Sequence, residues 1–256
     1  MAQRSQPHRD GSKHGLVSED EFVSADLQQR LLDLGRSAGL DAVGVADAGL
    51  LEPARSVLQP RKNAGLAGTM QFTYRNPDRS TDPSRVLPGA RAIVAGARGY
   101  RRQSPASPQQ PAGRVARYAW RDHYTDLKLS LEAVAEAIRG EGWAARVHAD
   151  DNNLVDRNVA FRAGLGWYGK NANLLIPEAG SWFVLGSIVT DAPLRPTEQA
   201  VADECGPCRR CFDGCPTRAI VGPGIIDARR CLAWLVQGPG PIPVEFRQAV
   251  GDRLYG

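Results

Sequence analysis

Cys205, Cys208, Cys211 and Cys215 follow the spacing C-x2-C-x2-C-x3-C, with Pro216 immediately after. This is the bacterial-ferredoxin run for a 4Fe–4S cluster. Short loops hold the first three sulfurs on one side of a cubane, and the fourth cysteine, on the turn that Pro216 stiffens, turns toward a second cluster. A structural zinc site fits less well, because it uses two cysteine or histidine pairs separated by a longer loop. Cys231, in DARRC, would on its own be an ordinary buried thiol. Beside the ferredoxin run it is a candidate ligand of the second cluster.

The stretch AGLGWYGKN carries Gly164, Gly166 and Gly169, a G-x-G-x-x-G pattern. A dinucleotide site needs that pattern after a strand and at the start of a helix, where free N–H groups meet pyrophosphate. The preceding NNLVDRNVAFRA has helical spacing, and Pro177 and Gly180 interrupt the chain soon after the motif. The flanks therefore argue against a dinucleotide. Two uses of the glycines stay open: close approach of the backbone to something large and flat, and a tight packed turn between helix and strand.

These residues need elements to position them. DLQQRLLDLGRSAGL reads as a helix stopping near Gly39, and Leu127, Leu131, Val134 and Ile138 mark one face of another. Strands are expected at 42–46, 92–97, 145–149 and 182–190. Helices and strands mixed without strict alternation predict an α+β fold, an α/β sandwich. A composition shift near 193–204 separates a main domain, 25–197, from a ferredoxin-like iron–sulfur domain, 198–256. Residues 1–24 read as a polar mobile tail and 101–113 as a Pro/Ser/Gln-rich surface loop.

The formal charge of +4 selects no partner. Arg101, Arg102, Arg114, Arg117 and Arg121 form a stretch without an acid, for which a solvated face is favoured over a phosphate partner. No apolar run approaches the ~20 residues that cross a bilayer. The N-terminus lacks the apolar core of an export signal. A cytoplasmic protein with reduced thiols, suited to metal ligation, is the expectation.

RVARYAW (114–120), DDNNLVDRNVAFRAGLGWYGKNANLLI (150–176), GSWFVLGSIVTDAPL (180–194), CGPCRRCFDGCPTRAI (205–220), DARRCLAWL (227–235) and GDRLYG (251–256) together resemble the epoxyqueuosine reductases. With LPGARAIVAGA near residue 90, the resemblance covers most of the chain from about residue 25. It implies a cobalamin-binding reductase domain and two 4Fe–4S clusters passing electrons to cobalt from a donor of unknown identity. The implied reaction is reduction of epoxyqueuosine to queuosine at the wobble position of tRNA, by a monomer away from any membrane. It places the proton donor at Asp150, a sensible role because an epoxide oxygen leaving as water needs a proton that a desolvated carboxyl can hold. The plainer reading is a helix N-cap, which Asp151 or Asn152 would serve equally.

The resemblance further implies that Gly164, Gly166 and Gly169 admit a corrin, with Lys170, Ser181, Trp182 and Arg79 as cofactor or substrate contacts. Cys205, Cys208 and Cys211 would bind the first cluster, and Cys215 with Cys231 the second. The sequence departs from the family in two places. Two cubanes of four ligands need more thiols than the five cysteines here, and the family's second C-x2-C-x3-C-P run comes after the GDRLYG stretch, so a truncated chain is expected. Where many members have D-Y-H, this chain has His123, Tyr124 and Thr125. The competing functions are a corrinoid iron–sulfur reductase of a small molecule and a ferredoxin-like electron carrier without catalysis.

Overall fold

The computed structural model describes residues 22–70, 72, 74–103, 112–198 and 201–256. Its centre is a four-stranded sheet of β1 (Ala42–Asp47), β2 (Ala92–Gly99), β3 (Ala145–Ala149) and β4 (Phe183–Thr190). The order is β1-β2-β4-β3, and every neighbouring pair is antiparallel. The sheet is covered on both faces, so β2 is buried without alternation from Ala92 to Ala97.

Helices α1 (Ala25–Ser37) and α3 (His123–Gly140) cover one face. Ser24 caps α1 by accepting from the Leu27 N–H, and Asp122 caps α3 by accepting from Thr125. The predicted stripe of Leu127, Leu131, Val134 and Ile138 is fully buried against Val94 and Ile188. Gly96 and Gly186 are register partners beneath Leu131, where an added Cβ would lie 2.9 and 2.8 Å from its methyls. The paired glycines let α3 approach the sheet.

The other face carries α2 (Glu52–Asn63) and α4 (Asp156–Arg162). There Ile93, Ala95 and Val189 meet Leu51, Leu58, Val159, Leu165 and Leu174. Two helical layers on a central sheet make the expected α/β sandwich. Sequence periodicity did not indicate α2, which carries Pro53 in its first turn and Pro60 in its last.

The cysteine-rich segment contains single helical turns at Arg210–Asp213 and Leu232–Leu235, a hairpin of Ile220–Gly222 with Ile225–Ile226, and α5 (Val244–Val250). It is tied to the main sandwich at several points. Ala228 N–H donates to the Leu66 carbonyl at 2.8 Å, Trp234 Nε1 to Thr69 Oγ1 at 3.0 Å, and Arg253–Tyr255 pairs in parallel with Arg114–Val115.

Residues 1–21 of the expected tail, and 104–111 of the expected loop, lie outside the described residues. The end of the tail reading needs correction. Val23 N–H donates to the Pro193 carbonyl at 2.9 Å, and Arg195 lies 4.8 Å from the Phe22 ring centroid. Among the described residues, no helix is long and apolar enough to cross a membrane.

Candidate functional site

The segment between β3 and α4 carries three aspartates in unlike surroundings. Asp150 has φ +57°, uncommon for a residue with a side chain. Its carboxyl accepts no hydrogen bond from any described residue. Asp150 is exposed, yet partial desolvation raises its pKa, and Asp151 and Asp122 add to the rise against the pull of Lys128. Asp151 goes the other way. Burial opposes its ionisation, but hydrogen bonds from the His148 ring and the Asn153 N–H, each 2.8 Å, bring it down to about 2. The two adjacent carboxyls are thus shifted in opposite directions, Asp150 toward its protonated form and Asp151 toward its ionised one.

The N-cap reading of this segment does not hold. The N-cap of α4 is Val155, without a side-chain bond, so neither Asp150, Asp151 nor Asn152 caps the helix. Asp150 instead lines an open groove of about 470 Å3 with Thr125, Lys128, Leu129 and Val147.

A second cavity, of about 280 Å3, is lined by Tyr100, Tyr124, Asp156, Ser181 and Phe183 among others. Asp156 was missed in the sequence, where it reads as an ordinary first-turn acid. Burial pushes its pKa well above the usual carboxylate range, and Asp151 adds to this against the pull of Arg157. Arg157 turns away to donate to the Ala172 carbonyl at 2.7 Å. Tyr124, also raised by burial, feels the charges of both Asp150 and Asp156, so the groove and the cavity are electrostatic neighbours.

The sign of the Asp156 shift sets a stability effect. A carboxyl with a raised folded pKa stabilises the fold below its unfolded value, near 3.9, and that contribution is lost as pH rises through the folded value. Asp156→Asn is therefore expected to resist urea better than the parent at about pH 8 and to lose this advantage near about pH 4. An unchanged difference between the two pH values would contradict the raised pKa of Asp156.

His123 is 2% exposed beside Tyr100, and burial, with Arg121 and Arg102, lowers its pKa. Tyr124, not His123, lines the cavity. Of the basic stretch, Arg114 pairs with Asp252 at 3.0 Å, Arg121 pairs with Asp126, and Arg117 stacks 5.0 Å over Trp182 and 5.8 Å over Trp120.

The glycines of AGLGWYGKN sit on a close approach of the chain to itself. Gly164, φ +73°, ends α4. Trp167–Tyr168 pairs with Leu174–Leu175, and a Cβ on Gly166 would stand 2.1 Å from the Leu175 carbonyl oxygen. One on Gly169 would stand 2.8 Å from Asn171 Oδ1 and from Leu175 Cδ1. A helix leads into the motif, as the flanking sequence indicated, and a hairpin leads out of it where the sequence showed only that no long helix follows.

The remaining contact residues separate. Ser181 lines the 280 Å3 cavity. Trp182 packs edge-on to Tyr100, with centroids 5.9 Å apart. The Arg79 guanidinium donates to Asn153 Oδ1. Lys170 reaches the cysteine loop, where Nζ donates to the Gly206 and Cys208 carbonyls at 2.5 and 3.0 Å.

All five cysteines are free thiols, with Cys208 exposed and the others half-buried. The Cys205 carbonyl accepts from the Cys208 N–H at 2.9 Å, which closes the first loop. Cys215 Sγ accepts from the Ala219 N–H at 3.2 Å. Burial works against its thiolate, but N–H groups of Ala219 and Ile220, with Thr217, bring its pKa below the ordinary value. Backbone N–H groups aimed at sulfur are the environment that stabilises cluster thiolates. Among the described residues, no three His, Cys, Asp or Glu side chains already converge as a metal site.

Known proteins share both the cysteine-rich segment and the sandwich. A model described as a 4Fe-4S double cluster binding domain matches residues 204–256, and one described as epoxyqueuosine reductase QueG, DUF1730, matches residues 80–151. An epoxyqueuosine reductase of Xanthomonas campestris pv. campestris is 35% identical over 240 residues, covering 90% of this chain and 67% of the relative. The crystal structure of an epoxyqueuosine reductase with an epoxyqueuosine-modified tRNA-Tyr stem loop superposes with TM-score 0.85 at 31% identity, covering 90% of this chain and 62% of that one. A Bacillus subtilis epoxyqueuosine reductase, with its catalytic aspartate loop swung out of the active site, gives TM-score 0.82 at 31% identity, with coverage of 90% and 62%. A catabolic reductive dehalogenase, NpRdhA, shares the fold alone, with TM-score 0.52 at 17% identity and coverage of 85% and 32%. The chain spans 61–67% of the length of the first curated relatives it matches.

Proposed function

Because this chain belongs to the epoxyqueuosine reductase family, we propose that its protein reduces epoxyqueuosine in tRNA to queuosine, with Asp150 as proton donor. The observation that carries the assignment is the placement of Asp150 on the open groove with its carboxyl unengaged by any described residue, shifted toward its protonated form, beside an Asp151 tied to His148 and the Asn153 N–H. Opening an epoxide to an alkene consumes two electrons and two protons and releases water. Asp150 delivers one proton to the departing oxygen, which would otherwise leave as a costly alkoxide.

Electrons arrive through 4Fe–4S clusters from an external donor. In this reading Cys205, Cys208 and Cys211 hold the first cluster, and Cys215 and Cys231 contribute to the second. Lys170 holds the first cysteine loop through its carbonyls. When bound, cobalamin supplies two-electron reducing power at the epoxide carbon. The apolar faces of Tyr100, Phe183 and Ile176, with the polar groups of Ser181 and Asn173, suit one edge of an amide-bearing macrocycle. A cavity of about 280 Å3 encloses only part of it. Trp182, edge-on to the cavity residue Tyr100, extends the proposed cofactor side, while Gly164, Gly166 and Gly169 shape the turn and hairpin next to it.

The substrate assignment rests on the family and on the relative solved with a modified tRNA stem loop. Its test is conversion of epoxyqueuosine-containing tRNA by the full-length, cluster-loaded protein. Conversion that requires added cobalamin supports the reading, and equal conversion without it removes cobalamin from the account.

A further inference from the structure

We propose that His148, Asp151, Asn153 and Arg79 form a latch that holds Asp150 in place, with His148 and Asp151 as positioning residues. The inference rests on Asp150 being the proton donor. A φ of +57° is uncommon for a residue with a side chain, aspartate being among those that tolerate it best, and the bonds around Asp150 fix the loop in that conformation. Asp151 does so with both carboxylate oxygens: Oδ1 accepts from the Asn153 N–H and Oδ2 from His148 Nδ1, each at 2.8 Å.

A carboxylate with this pairing only accepts, so the proton lies on His148 Nδ1. Asn153 Nδ2, 3.3 Å from the same ring nitrogen, is then no partner for it. The Asn153 amide is oriented from its other end, where Oδ1 accepts from Arg79.

Both ends of the loop are anchored in rigid structure. His148 lies on β3, in register with Ser187 of β4. Arg79 lies on the helical turn Pro77–Ser80, and the Ser80 carbonyl accepts from the Val155 N–H at 3.1 Å. None of these bonds caps α4, which begins at Val155 without a side-chain partner. The hydrogen bonds of the network are directed into the loop, and the Asp150 carboxyl is left free for chemistry. Fixed neighbours around one unengaged acid are what preorganisation of a donor requires.

The test uses the full-length, cluster-loaded enzyme. Asp151→Ala and His148→Leu are expected to lower kcat by about 10- to 100-fold with an unchanged KM for tRNA. His148→Asn, whose Nδ2 can donate where Nδ1 did, is expected to restore kcat to within about threefold of the parent. Adding Asp151→Ala to Asp150→Asn should cost nothing further, because the latch acts through Asp150. Amide exchange at Asn153 should speed up in Asp151→Ala whatever the activity. An Asp151→Ala enzyme with parental kcat and parental exchange would overturn the latch, as would an additive loss in the double variant. A fully active Asp150→Asn enzyme would instead overturn the donor assignment. If Asp151→Ala fails to fold, the His148→Leu and His148→Asn pair decides alone.

Discussion

Asp150→Asn is expected to lower epoxide reduction by about 100-fold or more while leaving the unfolding free energy within about 0.5 kcal/mol of the parent. Asparagine has nearly the same shape and accepts the left-handed backbone as readily, so the φ of +57° is no obstacle. The Asp150 carboxyl takes no hydrogen bond from a described residue, so the amide breaks none. The variant loses only the transferable proton. The parent should also lose turnover as pH rises through the raised Asp150 pKa, because the ionised form cannot donate. A protein that merely carries electrons would still pass them to an artificial acceptor in this variant at the parental rate. Steady-state conversion with both kinds of acceptor separates the two, and full epoxide reduction by the variant would remove Asp150 from the chemistry.

The second large effect is on stability. Gly166→Ala is expected to cost about 3 kcal/mol, because its Cβ would sit 2.1 Å from the Leu175 oxygen and 2.8 Å from the same carbonyl carbon. Both obstacles are backbone of the paired strand, so no side-chain rotation relieves them. The damage should reach the cluster region, because the same hairpin places Lys170 on the Gly206 and Cys208 carbonyls. Gly140→Ala is the control: nothing lies within 4 Å of the added methyl at that helix end, and the change should be neutral or stabilising by up to about 1 kcal/mol. Equal denaturant midpoints for the Gly166 variant and the parent would show that the hairpin is not closed as described.

The sandwich was legible where packing is local and periodic. The stripe from Leu127 to Ile138 and the β-rich run ARVHA appear as read, because each fills one buried face or edge. The start of α4 was read too early. Leu154, Val155, Val159 and Arg162 carry helical spacing, but Asp151 accepts from the Asn153 N–H and the chain runs through bends from 151 to 154, so the helix begins only after Val155. The link from Lys170 to Cys208 crosses 38 residues and has no local signature. Asp156 reads as a first-turn acid until the cavity around it is seen. Phe22 and Val23 lie in a polar context, and only their contacts with Arg195 and Pro193 separate them from a tail. The cysteine spacing was the clearest signal, because a cubane requires its thiolates at short, fixed separations.

The most direct test of the central claim is nucleoside analysis of epoxyqueuosine-containing tRNA after incubation with the full-length protein. The protein would be loaded with iron, sulfide and cobalamin and supplied with a low-potential reductant. Loss of one oxygen atom from the modified base, giving queuosine, is the predicted result, with none in the Asp150→Asn sample run alongside. Unchanged epoxyqueuosine in the presence of fully loaded parent protein and intact tRNA would contradict the account.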